Sequence, residues 1–165
     1  MDLPFTSAVV ILLLVMDPIG NIPLFVSLLQ PVAPARRVRV ILRECAIALR
    51  HSKSSEAPEL WAELAQKYDG KDRWYLEALG IGADKNWDAY LSAYLNKAGD
   101  KALTTAAGKD VVWRSRAKQT PELLAKIIQD PSTPKESHPK FMRAFDFQAK
   151  SPEKDKALQE LLLLE

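Results

Sequence analysis

From Leu3 to Leu29 the chain is almost unbroken apolar residue, with Asp17 its single ionisable side chain. Twenty-seven residues would run roughly 40 Å as one straight helix, more than a bilayer's hydrocarbon core requires. Pro18, Gly20 and Pro23 stand close together in the middle, and each removes or weakens helical hydrogen bonds. The pattern therefore predicts a broken helix, with arms over Phe5–Met16 and Ile22–Leu29. Backbone that leaves the helix at membrane depth must be buried in protein or face water. Asp17 and Asn21 then fall where a polar pathway would run, or else cap and turn two short apolar helices.

The pattern changes after Pro34. Arg36, Arg39, Arg43 and Arg50 share one helical stripe, with Val38, Ile41, Leu42, Cys45 and Leu49 largely opposite. This is the signature of an amphipathic helix at an anionic membrane interface, or of a clipped second span. The apolar run from Val40 to Leu49 is too short to cross a bilayer by itself. By the positive-inside rule, the arginines predict a cytoplasmic position for that side. No basic residue precedes the apolar run, which argues against a cleavable signal peptide.

Residues 51–57 are mostly polar and read as a linker. Beyond them the period is helical throughout, with no strand-like alternation. Ala57-Pro58-Glu59, Thr120-Pro121-Glu122, Thr133-Pro134-Lys135-Glu136 and Ser151-Pro152-Glu153 place proline in a first helical turn. In the last three a hydroxyl stands at the expected cap, and Thr133 with Glu136 matches a capping box. Helices are expected over 58–68, 72–82, 87–97, 105–113, 121–129, 140–147 and 152–164. The first presents Leu60, Trp61, Leu64, Ala65 and Tyr68 on one face; Gly80 and Gly82 are read as closing the second. Trp61, Trp74, Trp87 and Trp113 are expected as core anchors. The fold class is thus all-α: a broken apolar membrane-type helix and an amphipathic helix over residues 1–50, then an α-helical stack of the solenoid kind over 58–165, without a clean sequence repeat; the HEAT-like character of that stack is what the second resemblance below implies.

Charge sharpens the division. The net charge is +2, and the five arginines up to Arg50 face only Asp2, Asp17 and Glu44. The remainder is balanced, so no nucleic-acid partner is expected. One cysteine and two histidines leave no disulfide, zinc or haem framework. No catalytic, cofactor-binding or metal-ligating residue is assigned, and no cofactor or small-molecule substrate. Asp69, Asp72 and Glu77 around Arg73 read as caps and ion pairs rather than acid–base machinery. Gly80-x-Gly82 lacks the strand and third glycine of a dinucleotide loop. Ser115, His138 and Asp146 sit in no nucleophile motif. Arg73, Arg114, Arg116 and Arg143 are expected to brace helices.

Two resemblances follow from particular strings. Asp2-Leu3, Ser7-Ala8-Val9, Met16-Asp17-Pro18-Ile19-Gly20-Asn21-Ile22-Pro23-Leu24-Phe25, and Arg36-Arg37 followed by Ile41-Leu42-Arg43-Glu44 resemble the start of MarC-type (UPF0056) integral membrane proteins. That likeness implies a multi-spanning, transport-like parent, placement in a bacterial inner membrane, and bilayer contact through residues 3–49. The stretch from Lys67 to Ala83, with Asp110-Val111-Val112-Trp113-Arg114-Ser115-Arg116 and Arg143-Ala144-Phe145-Asp146-Phe147, resembles the HEAT-like helical region of planctomycete-type membrane-bound dehydrogenase or haem-binding domain proteins. Neither a propeller nor a Cys-x-x-Cys-His motif accompanies it. The resemblances together imply a non-enzymatic helical scaffold on a membrane segment, with a protein partner on the stack. The alternatives are a fragment of a MarC-type transport-like protein and a non-catalytic part of a redox protein. They imply opposite sides of the membrane for the stack, so a joint near Leu49–His51 between two origins, from a gene model, assembly or cloning junction, is expected.

Overall fold

The computed structural model describes Ile22, Pro23, Val26, Ser27 and residues 30–163. Most of the expected broken helix, including Asp17, Pro18, Gly20 and Asn21, lies outside the described residues. Two compact units divide the chain, 1–41 and 42–165. The division falls inside the first fully described helix, α1 (Pro34–Ala48). Among the described residues no helix is long and apolar enough to cross a membrane.

In the first unit, Arg37 folds back on the preceding turn. Its Nε donates to the Val32 carbonyl at 2.6 Å and its Nη2 to that of Gln30. Val38 and Ile41 are exposed, as are Arg36 and Arg39.

The second unit begins at Leu42, earlier than the boundary at residues 50–57 that the polarity change suggested. After a 3-10 turn at Leu49–His51 come α2 (Ala57–Gln66), α3 (Arg73–Gly82), α4 (Trp87–Ala98), the single turn α5 (Lys101–Thr104) and α6 (Ala106–Arg114). Then follow α7 (Thr120–Gln129), α8 (His138–Ala144), a 3-10 turn at Phe145–Phe147 and α9 (Pro152–Leu162). The architecture is all-α, a stack in which α2 lies on α4, α3 on α6, and α7 packs against α6, α8 and α9.

Local chemistry sets the helix starts. Asp72 caps α3 by accepting from the Tyr75 N–H, Thr105 caps α6 through Gly108, and Ser151 caps α9 through Lys154. Proline occupies the first turn of α2, α7, α8 and α9. Two expected caps are absent. Thr120 lies inside α7 and is fully buried, its hydroxyl 2.8 Å from that of Ser115. Thr133 does not form the capping box with Glu136; its Oγ1 accepts instead from the buried Lys109 ammonium at 2.7 Å. Ser115, five residues back, takes the Thr120 hydroxyl, and Lys109, 24 residues back, takes that of Thr133.

Trp61 centres the first half of the core. It is fully buried, meets Trp87 edge-on at 5.8 Å and Tyr94 at 6.4 Å, and donates through Nε1 to the Leu79 carbonyl. Tyr75 and Tyr90 send hydroxyls to the carbonyls of Leu64 and Leu49 at 2.9 Å, adding a second donor to acceptors that already take the Lys67 and Ser52 N–H groups. Leu124, Ile127, Val111 and Val112 centre the second half. Trp74 corrects the expectation of four tryptophan anchors, being 70% exposed. Tyr75, Ala78, Leu79 and Gly82 form the buried i, i+3, i+4, i+7 stripe of α3, which places Trp74 and Ile81 together on the outer face. Leu60 is likewise exposed on α2.

Gly80 does not close α3, which runs on to end at Gly82. Both lie buried within α3. A Cβ on Gly82 would collide with the Ala46 backbone, its carbonyl carbon only 2.8 Å away. This contact draws the end of α1 onto the stack. There Ala46 is fully buried, and Arg43 pairs with Asp72 at 2.6 Å. Arg50 pairs with Asp84 across the same seam. Two of the four arginines expected to face an anionic membrane are thus engaged by carboxylates of the stack. Residues 42–50 carry the packing straight across the expected joint at residues 49–51.

Candidate functional site

A groove of about 550 Å3 opens between α3, α6, α8 and the 145–147 turn. Its walls carry Arg114, Arg116, Lys140 and Arg143 with the rings of Trp113 and Phe147, and Glu77 as the one carboxylate. Each cation is positioned by a distinct local device.

Arg114, the last residue of α6, lies across α3 and donates through Nε to Glu77 Oε2 at 3.0 Å. It passes directly over Gly80, where a Cβ would sit 2.6 Å from the Arg114 Nε. Arg116 turns back over the end of α6. Its Nη1 donates to the carbonyls of Ser115 at 2.6 Å, Arg114 at 2.9 Å and Trp113 at 3.3 Å. A cation at a helix C-terminus neutralises both the unpaired acceptors and the negative end of the dipole. The same guanidinium sits 5.3 Å from the Phe147 ring centre. Burial pulls the Arg116 pKa down, the Arg114 charge adds to this, and Glu77 opposes it. The cation is therefore only partly compensated. Lys140 pairs with Asp110 and lies 5.4 Å above the Trp113 ring, whose Nε1 donates to the Lys140 carbonyl at 3.1 Å. Arg143 is exposed on the groove wall.

A second hollow of about 490 Å3 shares Arg116 and is walled by Lys85, Asp88 and Lys118, with the Lys118 N–H donating to Asp88 Oδ1 at 2.7 Å. Among the described residues no group of three or more His, Cys, Asp or Glu side chains is arranged to hold a metal ion.

The carboxylates weighed in the sequence occupy structural positions. Asp69 Oδ1 accepts from the N–H groups of Lys71 and Asp72. Asp72 caps α3 and pairs with Arg43. Burial pushes the Asp72 carboxyl up, but the Arg43 guanidinium and backbone N–H bonds outweigh it and leave its pKa lowered. Ser115 Oγ is buried against Thr120 and also accepts from the Ala117 N–H. His138 opens α8 with its Nε2 buried and unpartnered, and Asp146 is exposed in the 3-10 turn. These three residues form no nucleophilic relay. Sequence reading found Arg114, Arg116 and Arg143 as braces but not their convergence, because α6 and α8 meet across 27 residues of chain.

The match to known families lies at the other end of the chain. Residues 4–50 match the family model described as MarC family integral membrane protein. The UPF0056 inner membrane protein YhgN of Escherichia coli (strain K12) is 51% identical to this chain over 43 residues, 26% of this chain and 22% of that protein. A UPF0056 membrane protein of Buchnera aphidicola subsp. Baizongia pistaciae is 46% identical over 43 residues, with the same coverage. The chain thus spans about a fifth of the length of the curated relatives it matches. No solved structure matches it. The expected MarC-type resemblance therefore holds over residues 4–50, and these matches lend nothing to the expected likeness of residues 58–164. The groove lies wholly beyond the matched segment.

Proposed function

We propose that this chain is a membrane-tethered helical scaffold. The segment related to MarC family proteins engages a bacterial inner membrane, and the stack from Leu42 onward presents its helical surface to a protein partner. One observation carries the scaffold reading: the side chains with chemical potential are spent on holding helices together. Asp72 caps and pairs, Glu77 fixes Arg114, and Ser115 is sealed against Thr120. What the stack leaves open is the cationic, aromatic groove, a shape suited to binding.

The membrane half of the proposal draws on the MarC family match and on relatives named as inner membrane proteins. The apolar run around Asp17 supports it physically, since about 20 apolar residues suffice to enter a bilayer. The match to the same family favours one rival reading, a transport-like protein of which this chain holds the opening segment.

The test is fractionation. The full chain is expected to stay with bacterial inner membranes through an alkaline wash, and a chain lacking residues 1–30 to leave them while retaining helical circular dichroism. Release of both forms by the wash would refute the tether. Loss of helical signal on deleting residues 1–30 would refute an independent scaffold.

A further inference from the structure

We infer that the groove between α3, α6, α8 and the 145–147 turn takes an acidic peptide segment of a protein partner, carboxylates on Arg116 and Arg143 and an apolar side chain on Phe147. The inference rests on the scaffold reading and names its partner chemistry.

Charge is the first argument. Arg114, Arg116, Lys140 and Arg143 converge on the groove, while Glu77 and Asp110 are the carboxylates held by Arg114 and Lys140. Arg116 and Arg143 are left without a carboxylate partner, and the carbonyls at the end of α6 offset Arg116 only in part. Residues 51–165 are balanced only with the groove counted, and without its four cations and Glu77 and Asp110 the remainder is net negative, so the groove stands out as a local positive field. Arginine guanidinium groups at such a place match carboxylates bidentately.

Geometry then favours dispersed carboxylates over a single phosphate. Arg116 already spends Nη1 on three carbonyls at the C-terminal end of α6, the negative end of a helix dipole. A concentrated dianion gains little there, whereas carboxylates spaced along a peptide reach the outward guanidinium edge of Arg116 and the exposed Arg143 separately. The apolar partner has its own platform, as Phe147 is 55% exposed beneath the Arg116 guanidinium. An exposed phenylalanine stacked under a cation offers both an apolar face and orientation, the usual pairing at protein interfaces. Nucleic acid is disfavoured because residues 51–165 carry no net positive charge, with as many acidic as basic side chains.

The experiment uses the full chain in neutral detergent and a fluorescein-labelled octapeptide alternating glutamate and leucine, followed by fluorescence anisotropy. Saturable binding is expected, weakening as salt rises from about 50 to about 300 mM. Arg143→Glu is expected to weaken it about tenfold, and Phe147→Ala severalfold. Both side chains are exposed, so both variants retain the fold. Lys126→Glu, on α7 and outside the groove, is expected to bind as the parent does. Absence of saturation, or parental affinity in Arg143→Glu, would overturn the inference. So would stronger competition from inorganic phosphate or from phosphatidylglycerol vesicles than from unlabelled peptide. Such a failure leaves the scaffold reading standing wherever deletion of residues 1–30 releases a folded helical chain.

Discussion

Replacing Gly82 by alanine should destabilise the stack, although alanine is the better helix former. Near the end of α3 the gain in propensity is at most about 1 kcal/mol. Against it stands the Ala46 backbone, whose carbonyl carbon lies 2.8 Å from the new methyl position. No rotamer relieves a clash between a Cβ and a main chain, so α1 or α3 must shift. Overpacking of this kind costs up to about 3 kcal/mol. Displacing α1 also strains the hydrogen bond from Tyr90 to the Leu49 carbonyl, worth about 1 kcal/mol. The net expectation is a loss of about 3 kcal/mol. All four tryptophans lie in the second unit, so urea unfolding followed by tryptophan fluorescence reports on the stack. With a slope near 2 kcal/mol per molar, the midpoint should fall by about 1.5 M. An unchanged or raised midpoint would refute the reasoning, because it would mean that α1 does not press on Gly82.

Trp61→Ala should cost about 3–5 kcal/mol in the same assay, since the residue is fully buried among Trp87, Tyr90 and Tyr94. Trp74→Phe should change stability by less than about 0.5 kcal/mol while removing the most quencher-accessible emission. At high pH, burial holds Tyr94 up at about 12 and Tyr75, also raised by Asp72 and Cys45, up at about 12. Folded values above the ordinary value of 10.0 mean stability intact below about pH 10 and lost as pH climbs toward 12, so phenolate absorbance should rise together with unfolding. Asp72 works in the opposite direction. Its lowered carboxyl stabilises the fold above the ordinary value of 3.8, and that contribution should vanish as pH falls below it, a loss that Asp72→Asn abolishes.

Helix number and placement were largely legible because proline, hydroxyl and glycine residues punctuate the chain where helices begin and end. The single turn α5 was not, since the four residues Lys101–Thr104 are too few to show a period. Trp74 departs from the expectation because the size of its ring argued for the core, whereas its position on α3, beside the buried Tyr75, points about 100° away toward the outer face. Thr133 has a capping sequence around it, but its partner, Lys109, is 24 residues away, and no local pattern carries that contact. The same limit applies to the Arg43–Asp72 and Arg50–Asp84 pairs. A basic stripe looks the same in a sequence whether it meets lipid headgroups or carboxylates folded back from 29 and 34 residues further on. The groove shares this origin: its residues were visible singly, and only the stacking of α6 against α3 and α8 brings their charges together.

Native-state hydrogen exchange at residues 44–49 of the full chain tests the account most directly. The end of α1 sits on Gly82, Asp72 and Tyr90, so these amides should be protected nearly as strongly as those of Leu79 and Leu91 in the core. Rapid exchange at residues 44–49, with protection beginning only at Ala57, would contradict it and return the boundary of the stack to residue 50.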